Sequence, residues 1–372
     1  MSATEGRLDW LVVPQIPLVD VRAQYAPLLD ELKERIAEVL DSGRFILGPN
    51  VQSFEEEAAA YLGVRHAIGV ANGTDALVLA LDAMGVGEGD EVICPAFTFY
   101  ATAEAIIRRG ALPVFTDIEA TSLNIDPEDA AKRITPRTRA IIPVHLFGRP
   151  AALDDLKSLG VPLLEDAAQA FGAQGVATTG VASTFSFFPT KNLFALGDGG
   201  LIAVRDEAVA ERIRLLRFHG SVAKKDFHLV GYNSRLDELQ AAVLRLFLTQ
   251  LEGWNAARRE AAARYGELGL GDVCEPPADE PAHVYHMYVV RSSERDRLAS
   301  ALKQAEIACA AYYVTPLHLQ PALRYLGYRE GDFPVTEQAA RENLALPLWA
   351  GIGADVQERV VATVREAAGV RV

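Results

Sequence analysis

The chain has 372 residues, 50% of them hydrophobic and 23% charged, which is enough for a large globular core and a second, smaller domain. Its 36 Lys and Arg against 50 Asp and Glu leave a net charge of -14, and a surface that acidic argues against nucleic acid or an anionic membrane as partner. Cys94, Cys274 and Cys309 lie far apart with no Cys-x-x-Cys, the usage of reduced thiols in a cytoplasmic protein, and no run of 18 apolar residues predicts a membrane span.

The acidic, polar start at 1–10 is followed by Leu11-Val12-Val13-Pro14, too short and proline-broken for a signal segment. Residues 28–40 are amphipathic at helical spacing, and Ser42-Gly43 stops that helix. Short β-prone runs at 66–70, 91–94, 112–116, 140–144, 162–165, 184–187 and 201–204 then alternate with helical stretches. Such alternation predicts a mostly parallel, doubly wound sheet with helices on both faces. Cys94 falls inside one of these strands and reads as core. Residues 237–264 read as one long helix, whose stripe of Leu239, Val243, Leu246, Phe247 and Leu251 is a packing face. Beyond it, 286–291 reads as a strand, 295–304 as a helix and 307–313 as another strand, an α+β unit. The predicted division is a large domain over 1–250, including the N-terminal segment, and a small one over 251–372. The seven histidines show no His-Glu-x-x-His arrangement, and His283 and His286 read as packing residues, so no metal site is expected.

Three motifs carry chemistry. Ser186-Phe187-Phe188-Pro189-Thr190-Lys191-Asn192-Leu193, closed by Gly197-Asp198-Gly199-Gly200, sets one lysine in a loop after a strand. A lysine amine traps a carbonyl as a Schiff base once burial or a neighbouring cation lowers its pKa. Leu163-Leu164-Glu165-Asp166-Ala167-Ala168-Gln169, 25 residues earlier, runs an apolar strand into a carboxylate. That is where open α/β sheets bind ligands. An isolated strand-end Asp is more often a helix N-cap. Paired in this order with Lys191, it reads as the carboxylate that keeps the pyridine nitrogen of pyridoxal phosphate (PLP) protonated. Ala71-Asn72-Gly73-Thr74-Asp75-Ala76-Leu77 supplies a strand end, a glycine turn and a helix N-terminus with a hydroxyl, a phosphate-binding arrangement. No Walker loop and no Gly-x-Gly-x-x-Gly after a strand is present, which disfavours nucleotide hydrolysis and a Rossmann dehydrogenase.

In this order the motifs closely resemble the DegT/DnrJ/EryC1/StrS sugar aminotransferases, PLP enzymes of fold type I, whose fold is that of aspartate aminotransferase. The resemblance runs from Pro17-Leu18-Val19-Asp20 to about Trp349 and includes Ser42-Gly43-Arg44-Phe45-Ile46-Leu47-Gly48-Pro49 and Pro95-Ala96-Phe97-Thr98-Phe99-Tyr100-Ala101-Thr102. It continues through Arg217-Phe218-His219-Gly220, Gly231-Tyr232-Asn233-Ser234-Arg235 and Pro316-Leu317-His318-Leu319-Gln320. The resemblance implies that Lys191 holds the cofactor and moves the proton, that Asp166 meets the pyridine nitrogen, and that Gln169 reaches the ring's phenolic oxygen. It places the phosphate on Gly73, Thr74 and Ser186, and the ring against Phe99. Asn233 would come from the neighbouring subunit, so a homodimer with shared sites is implied. Arg235, Tyr312 and His318 match positions near the substrate pocket. Relatives acting on sugar acids carry His-Tyr where this chain has Tyr312-Tyr313, which disfavours a uronic acid.

The activity implied is ping-pong transamination from glutamate to a dTDP- or UDP-linked keto-sugar, 3-keto favoured over 4-keto, in deoxyamino-sugar biosynthesis. The alternatives are another PLP chemistry on the same fold, such as a sugar dehydratase or lyase, and a catalytically silent regulatory homologue.

Overall fold

A computed structural model describes residues 15–370, so the segments 1–10 and 11–14 read above lie outside the described residues. Strands β1 (His66–Val70), β2 (Glu91–Pro95), β3 (Leu112–Thr116), β4 (Thr138–Ile141), β5 (Leu164–Asp166), β6 (Ala182–Ser186) and β7 (Gly200–Val204) fall on the seven predicted runs. β3, β2 and β4 pair in parallel. Parallel bridges Ile141–Leu163 and Val144–Asp166 carry the layer on to β5, which pairs in parallel with β6. β7 lies between β6 and β1 and is antiparallel to both. Its reversal follows from its connection: a loop, with no crossover helix, joins β6 to β7, and two strands joined without a crossover must run opposite ways.

Helices α1 (Val21–Tyr25), α2 (Leu29–Ser42) and α3 (Pro49–Leu62) precede β1; α4 (Gly73–Ala83), α5 (Tyr100–Arg108), α6 (Pro127–Lys132) and α7 (Leu153–Ser158) connect strands; α8 (Glu207–Arg217) follows β7. Successive strand residues point to opposite faces, and the cores divide accordingly. Ile68, Val70, Ile202 and Val204 pack with Leu77, Leu81, Ile106 and Ile213 of α4, α5 and α8. Ala67, Leu201 and Ala203 pack with Phe54 of α3 and with Phe185, Phe187 and Phe194. Cys94 is fully buried in the first of these cores.

Residues 237–264 form two helices rather than one, α9 (Glu238–Leu248) and α10 (Leu251–Glu267). At the break the Thr249 hydroxyl donates back to the Leu246 carbonyl at 2.7 Å, a local bond that competes with the helical ladder. In the C-terminal part β8 (Tyr288–Arg291) is followed by α11 (Arg295–Gln304) and α12 (Pro334–Glu342), then pairs antiparallel with β9 (Asn343–Leu346), before α13 (Ala354–Ala367). Predicted strand 307–313 is not one. It makes two single bridges, Ile307 to Ile16 and Ala310 to Ala345, because Glu306 turns the chain with φ at +59° and the segment is shared between two neighbours. β9 takes the place beside β8; sequence reasoning missed it because Asn343-Leu344-Ala345-Leu346 abuts α12 and continues its helical spacing. Tyr265, Leu298, Leu302, Val360 and Val364 fill the core of this C-terminal part, to which Ile16 adds.

Distant carboxylates cap two helices. Glu238, 1% exposed, accepts the Asn50 and Val51 amides of α3 at 2.9 and 2.8 Å, and Asp117 accepts the Val335 and Thr336 amides of α12 at 3.0 and 2.7 Å. A β-carbon on Gly48 would sit 2.8 Å from the Glu238 carboxyl carbon, so the turn before α3 is moulded to its cap. Glu238→Ala should therefore lower unfolding free energy by about 2 kcal/mol, read as a fall in the urea midpoint. A midpoint equal to wild type would show that water replaces the cap.

Candidate active site

Pairing register assembles the site at one edge of the sheet. Gly200 at the start of β7 lies opposite Val70, the last residue of β1, and opposite Ser186, the last residue of β6. Asp166, the last residue of β5, lies opposite Thr184 of β6. The C-terminal ends of β1, β5 and β6 thus meet, and the loop leaving β6 carries Lys191. Gly200 has no room for a side chain, since a β-carbon there would collide with the Asn72 carbonyl. Behind Lys191, the Asn192 side chain donates to the Val284 carbonyl at 2.8 Å and to Asn255 at 2.7 Å, with Asn192 itself 2% exposed.

Lys191 and Asp166 perturb one another. Burial lowers the Lys191 amine to a pKa of about 8, partly offset by the Asp166 charge, which favours the ammonium. Roughly a tenth of such an amine is neutral at pH 7, against roughly one in three thousand for an ordinary lysine. Burial pushes the Asp166 carboxyl up from its ordinary value, and the Thr102 hydroxyl, the Ala168 amide and Lys191 pull it back in part. Thr102 donates to Asp166 Oδ2 at 2.8 Å and Ala168 N to Oδ1 at 3.2 Å. Beneath Asp166, Glu165 is fully buried; burial raises its carboxyl, but His145 and the Gly180 and Ala177 amides more than offset this and hold it below the usual range. His145 Nδ1 accepts the Ala151 amide at 3.0 Å, so its proton lies on Nε2, which faces Glu165 Oε2 at 3.1 Å.

Gly73 opens α4, with Asn72 as its N-cap accepting the Asp75 amide at 2.8 Å. The amides of Gly73 and Thr74 keep no partner inside the helix, as first-turn donors do. A β-carbon on Gly73 would stand 2.7 Å from Ser186 Cβ, so these two residues touch. Phe99 is 57% exposed at the start of α5, its ring 6.1 Å from that of Tyr313. Gln169 Oε1 accepts the Phe147 amide at 2.6 Å, which turns Nε2, a donor, to the Tyr313 hydroxyl at 3.4 Å.

The profile of the DegT/DnrJ/EryC1/StrS aminotransferase family matches residues 28–365. The chain belongs to this family. It is 46% identical over 364 residues to a pleiotropic regulatory protein of Geobacillus stearothermophilus, covering 94% of this chain and 98% of that one. It is 43% identical over 366 residues to a dTDP-3-amino-3,4,6-trideoxy-alpha-D-glucose transaminase of Streptomyces venezuelae, covering 95% and 96%. The crystal structure of DesV from S. venezuelae matches with a TM-score of 0.92 at 43% identity, over 96% of this chain and 100% of that one. The protein is a PLP-dependent aminotransferase of fold type I.

The residues fit that cofactor group by group. A low-pKa amine answers its aldehyde, a buried carboxylate its pyridinium, first-turn amides with a hydroxyl its phosphate, and an exposed aromatic face its ring. Among the described residues no cluster of three His, Cys, Asp or Glu is placed to hold a metal ion, and no helix is long and apolar enough to cross a membrane.

The substrate candidates are placed unevenly. Asn233 is exposed, and Arg235 is half-buried with its guanidinium 5.8 Å from the Phe218 ring. Tyr312 is half-buried, its amide donating to Asn343 at 2.6 Å. His318, 1% exposed, is turned into the core, where Nε2 meets Glu337 at 3.1 Å and the ring packs on Phe333. This aminotransferase therefore offers no His318 face to a substrate within the described chain. Sequence reasoning passed over Thr102, although it stands in the first turn of α5 four residues after Thr98, which lies just before the helix. It also passed over Tyr313, which faces both Phe99 and Gln169.

Capture of PLP by cofactor-free protein needs the neutral Lys191 amine. Its stopped-flow rate should rise with pH and reach half its plateau near pH 8. Asp166 raises that pKa, so Asp166→Asn should move the midpoint below the wild-type one; an upward move would contradict the charge coupling.

Proposed function

We propose that the enzyme moves an amino group from glutamate to a keto-sugar nucleotide, dTDP- or UDP-linked, with a 3-keto sugar preferred to a 4-keto one, in deoxyamino-sugar biosynthesis. The observation that carries transamination is the complete set at the strand ends: Lys191 beside Asp166, with the open first turn of α4 against Ser186. The nucleotide-sugar reading is supported by a relative at 43% identity whose name specifies a dTDP-3-amino sugar. Another relative's name is regulatory, which favours a silent homologue, but a chain without catalysis has no use for a low-pKa lysine facing a buried carboxylate.

When bound, PLP would supply an aldehyde that accepts the amino group and an electron sink for the α-carbon. Lys191 Nζ holds the cofactor at rest, takes the α-proton of the donor once displaced, and returns a proton to the acceptor carbon. Asp166, gripped by Thr102 and Ala168, keeps a proton on the ring nitrogen. Gly73, Thr74 and Ser186 bind the phosphate, Gln169 the phenolic oxygen, and Phe99 covers the ring. Arg235 and Tyr312 meet the substrate, with residues 1–250 forming the cofactor domain and 251–372 the small one.

Two copies share their sites in this reading, Asn233 reaching the partner subunit's phosphate. Support comes from the excursion between α8 and Asn233, which leaves Val222 79%, Phe227 61% and Val230 94% exposed, apolar surface suited to a second copy. A cytoplasmic setting agrees with three unpaired thiols.

Lys191→Ala should cut turnover by roughly a thousandfold or more, assayed with glutamate against dTDP-, UDP- and GDP-linked 3-keto and 4-keto sugars. Near-normal turnover would end the assignment, and amination of the 4-keto set alone would reverse the regiochemical preference. For the shared site, Asn233→Ala should retain PLP poorly. Mixing it with Lys191→Ala under subunit exchange should restore activity, because one site of the hybrid then carries neither lesion. No recovery would mean that each subunit completes its own site.

A further inference from the structure

Residues 231–235 run extended beside the end of α8. Tyr232 N donates to the Leu216 carbonyl at 2.7 Å, His219 N to the Tyr232 carbonyl at 2.8 Å, and Ser234 N to the Arg217 carbonyl at 3.0 Å. In extended chain alternate side chains face opposite ways. Tyr232 and Ser234 face the body of the protein, where the Ser234 hydroxyl, fully buried, accepts the Ala71 amide at 3.1 Å. Asn233, between them, is exposed, and Arg235 after them is half-buried.

The Tyr232 hydroxyl is held on both sides. It accepts from Arg109 Nη1 at 2.7 Å and donates to Asp82 Oδ2 at 3.0 Å. Asp82, 7% exposed, also pairs with Arg109 at 2.8 Å and with Arg212 at 3.1 Å. One carboxylate thus joins α4, the C-terminal end of α5, α8 and the 231–235 segment. Burial, then Asp82, push the tyrosine pKa up, so the hydroxyl remains a donor. None of these groups lies in the cofactor site described above.

We propose that the Asp82–Arg109–Arg212 cluster, through the Tyr232 hydroxyl, is a positioning device that aims Asn233 at the partner subunit's cofactor. It rests on the shared-site reading. Its distinctive consequence is that a lesion at Tyr232 acts in the opposite subunit's site, not in its own.

Tyr232→Phe removes the hydroxyl and keeps the ring, the backbone bonds and Ser234. The homodimeric variant should bind PLP threefold to tenfold more weakly, the size of one hydrogen bond's effect, with the absorbance of the lysine-bound cofactor unchanged at saturation. A hybrid of Tyr232→Phe with Lys191→Ala subunits, isolated by two affinity tags, has one lysine-bearing site, served by a partner whose Tyr232 is intact. That site should bind PLP with wild-type affinity. If it shows the weakened affinity of the homodimer, or if the homodimer binds as wild type, the positioning role is wrong. The Asn233→Ala hybrid separates the two ideas. Recovery there without recovery for Tyr232→Phe leaves the shared site standing and removes the latch; no recovery in either removes the shared site and the latch together.

Discussion

The site depends on one strand running backwards. Because β6 returns through a loop and not a helix, β7 must lie antiparallel beside it, and β1 must then close on the far edge of β7. Gly200 consequently faces Val70 and Ser186 together, and its missing side chain lets the Asn72–Gly73 turn settle over it. A parallel β7 would need a crossover, usually a helix, where the Lys191 loop now runs, and would not set Gly200 opposite both Val70 and Ser186. The close approach of the α4 first turn to Ser186 follows from that topology, while the parallel pairing of β5 with β6 adds Asp166 beside it.

The charges around the site are arranged in layers. Asp166 receives two uncharged donors, Thr102 and Ala168, which steady the carboxylate without neutralising it. Glu165, one residue earlier on the opposite face of β5, is fully occupied by His145 and by the Ala177, Thr179 and Gly180 amides. Adjacent acids in the chain thus have different tasks: one fixes the loop after β5, the other remains available to a cation. Buried His286, with Lys191, Arg258 and His283 nearby and both ring nitrogens unpaired, is held neutral by burial first and by those charges second, so it adds no competing charge behind the lysine.

Much of this was legible in residues alone. The seven strands were readable because each is a short β-prone run between turns and helical periodicity, and the order and spacing of Lys191 and Asp166 led to the expectation that they stand together, as their mutual electrostatic influence shows. What escaped depended on contacts between distant parts. β9 follows directly on a helix, and only its pairing with β8 makes it a strand. His318 carries no local mark that would set its buried pairing with Glu337 apart from a place in a pocket. Thr102 looked like a helix residue among alanines; its role appears once β5 brings Asp166 within 2.8 Å.

The tertiary caps have a consequence for how the chain reaches this form. Glu238 closes the first turn of α3 across 188 positions, and β1 finds its only sheet neighbour among the described strands in β7. A nascent chain that has emerged only as far as β6 therefore has an uncapped α3 and two strand edges, on β1 and β6, with their amides and carbonyls bare. Contacts this remote make for slow acquisition of the native state, and bare edges are templates for pairing with other chains. Synthesis must carry the nascent chain past Gly200, and then past Glu238, before the first third of the molecule can become stable.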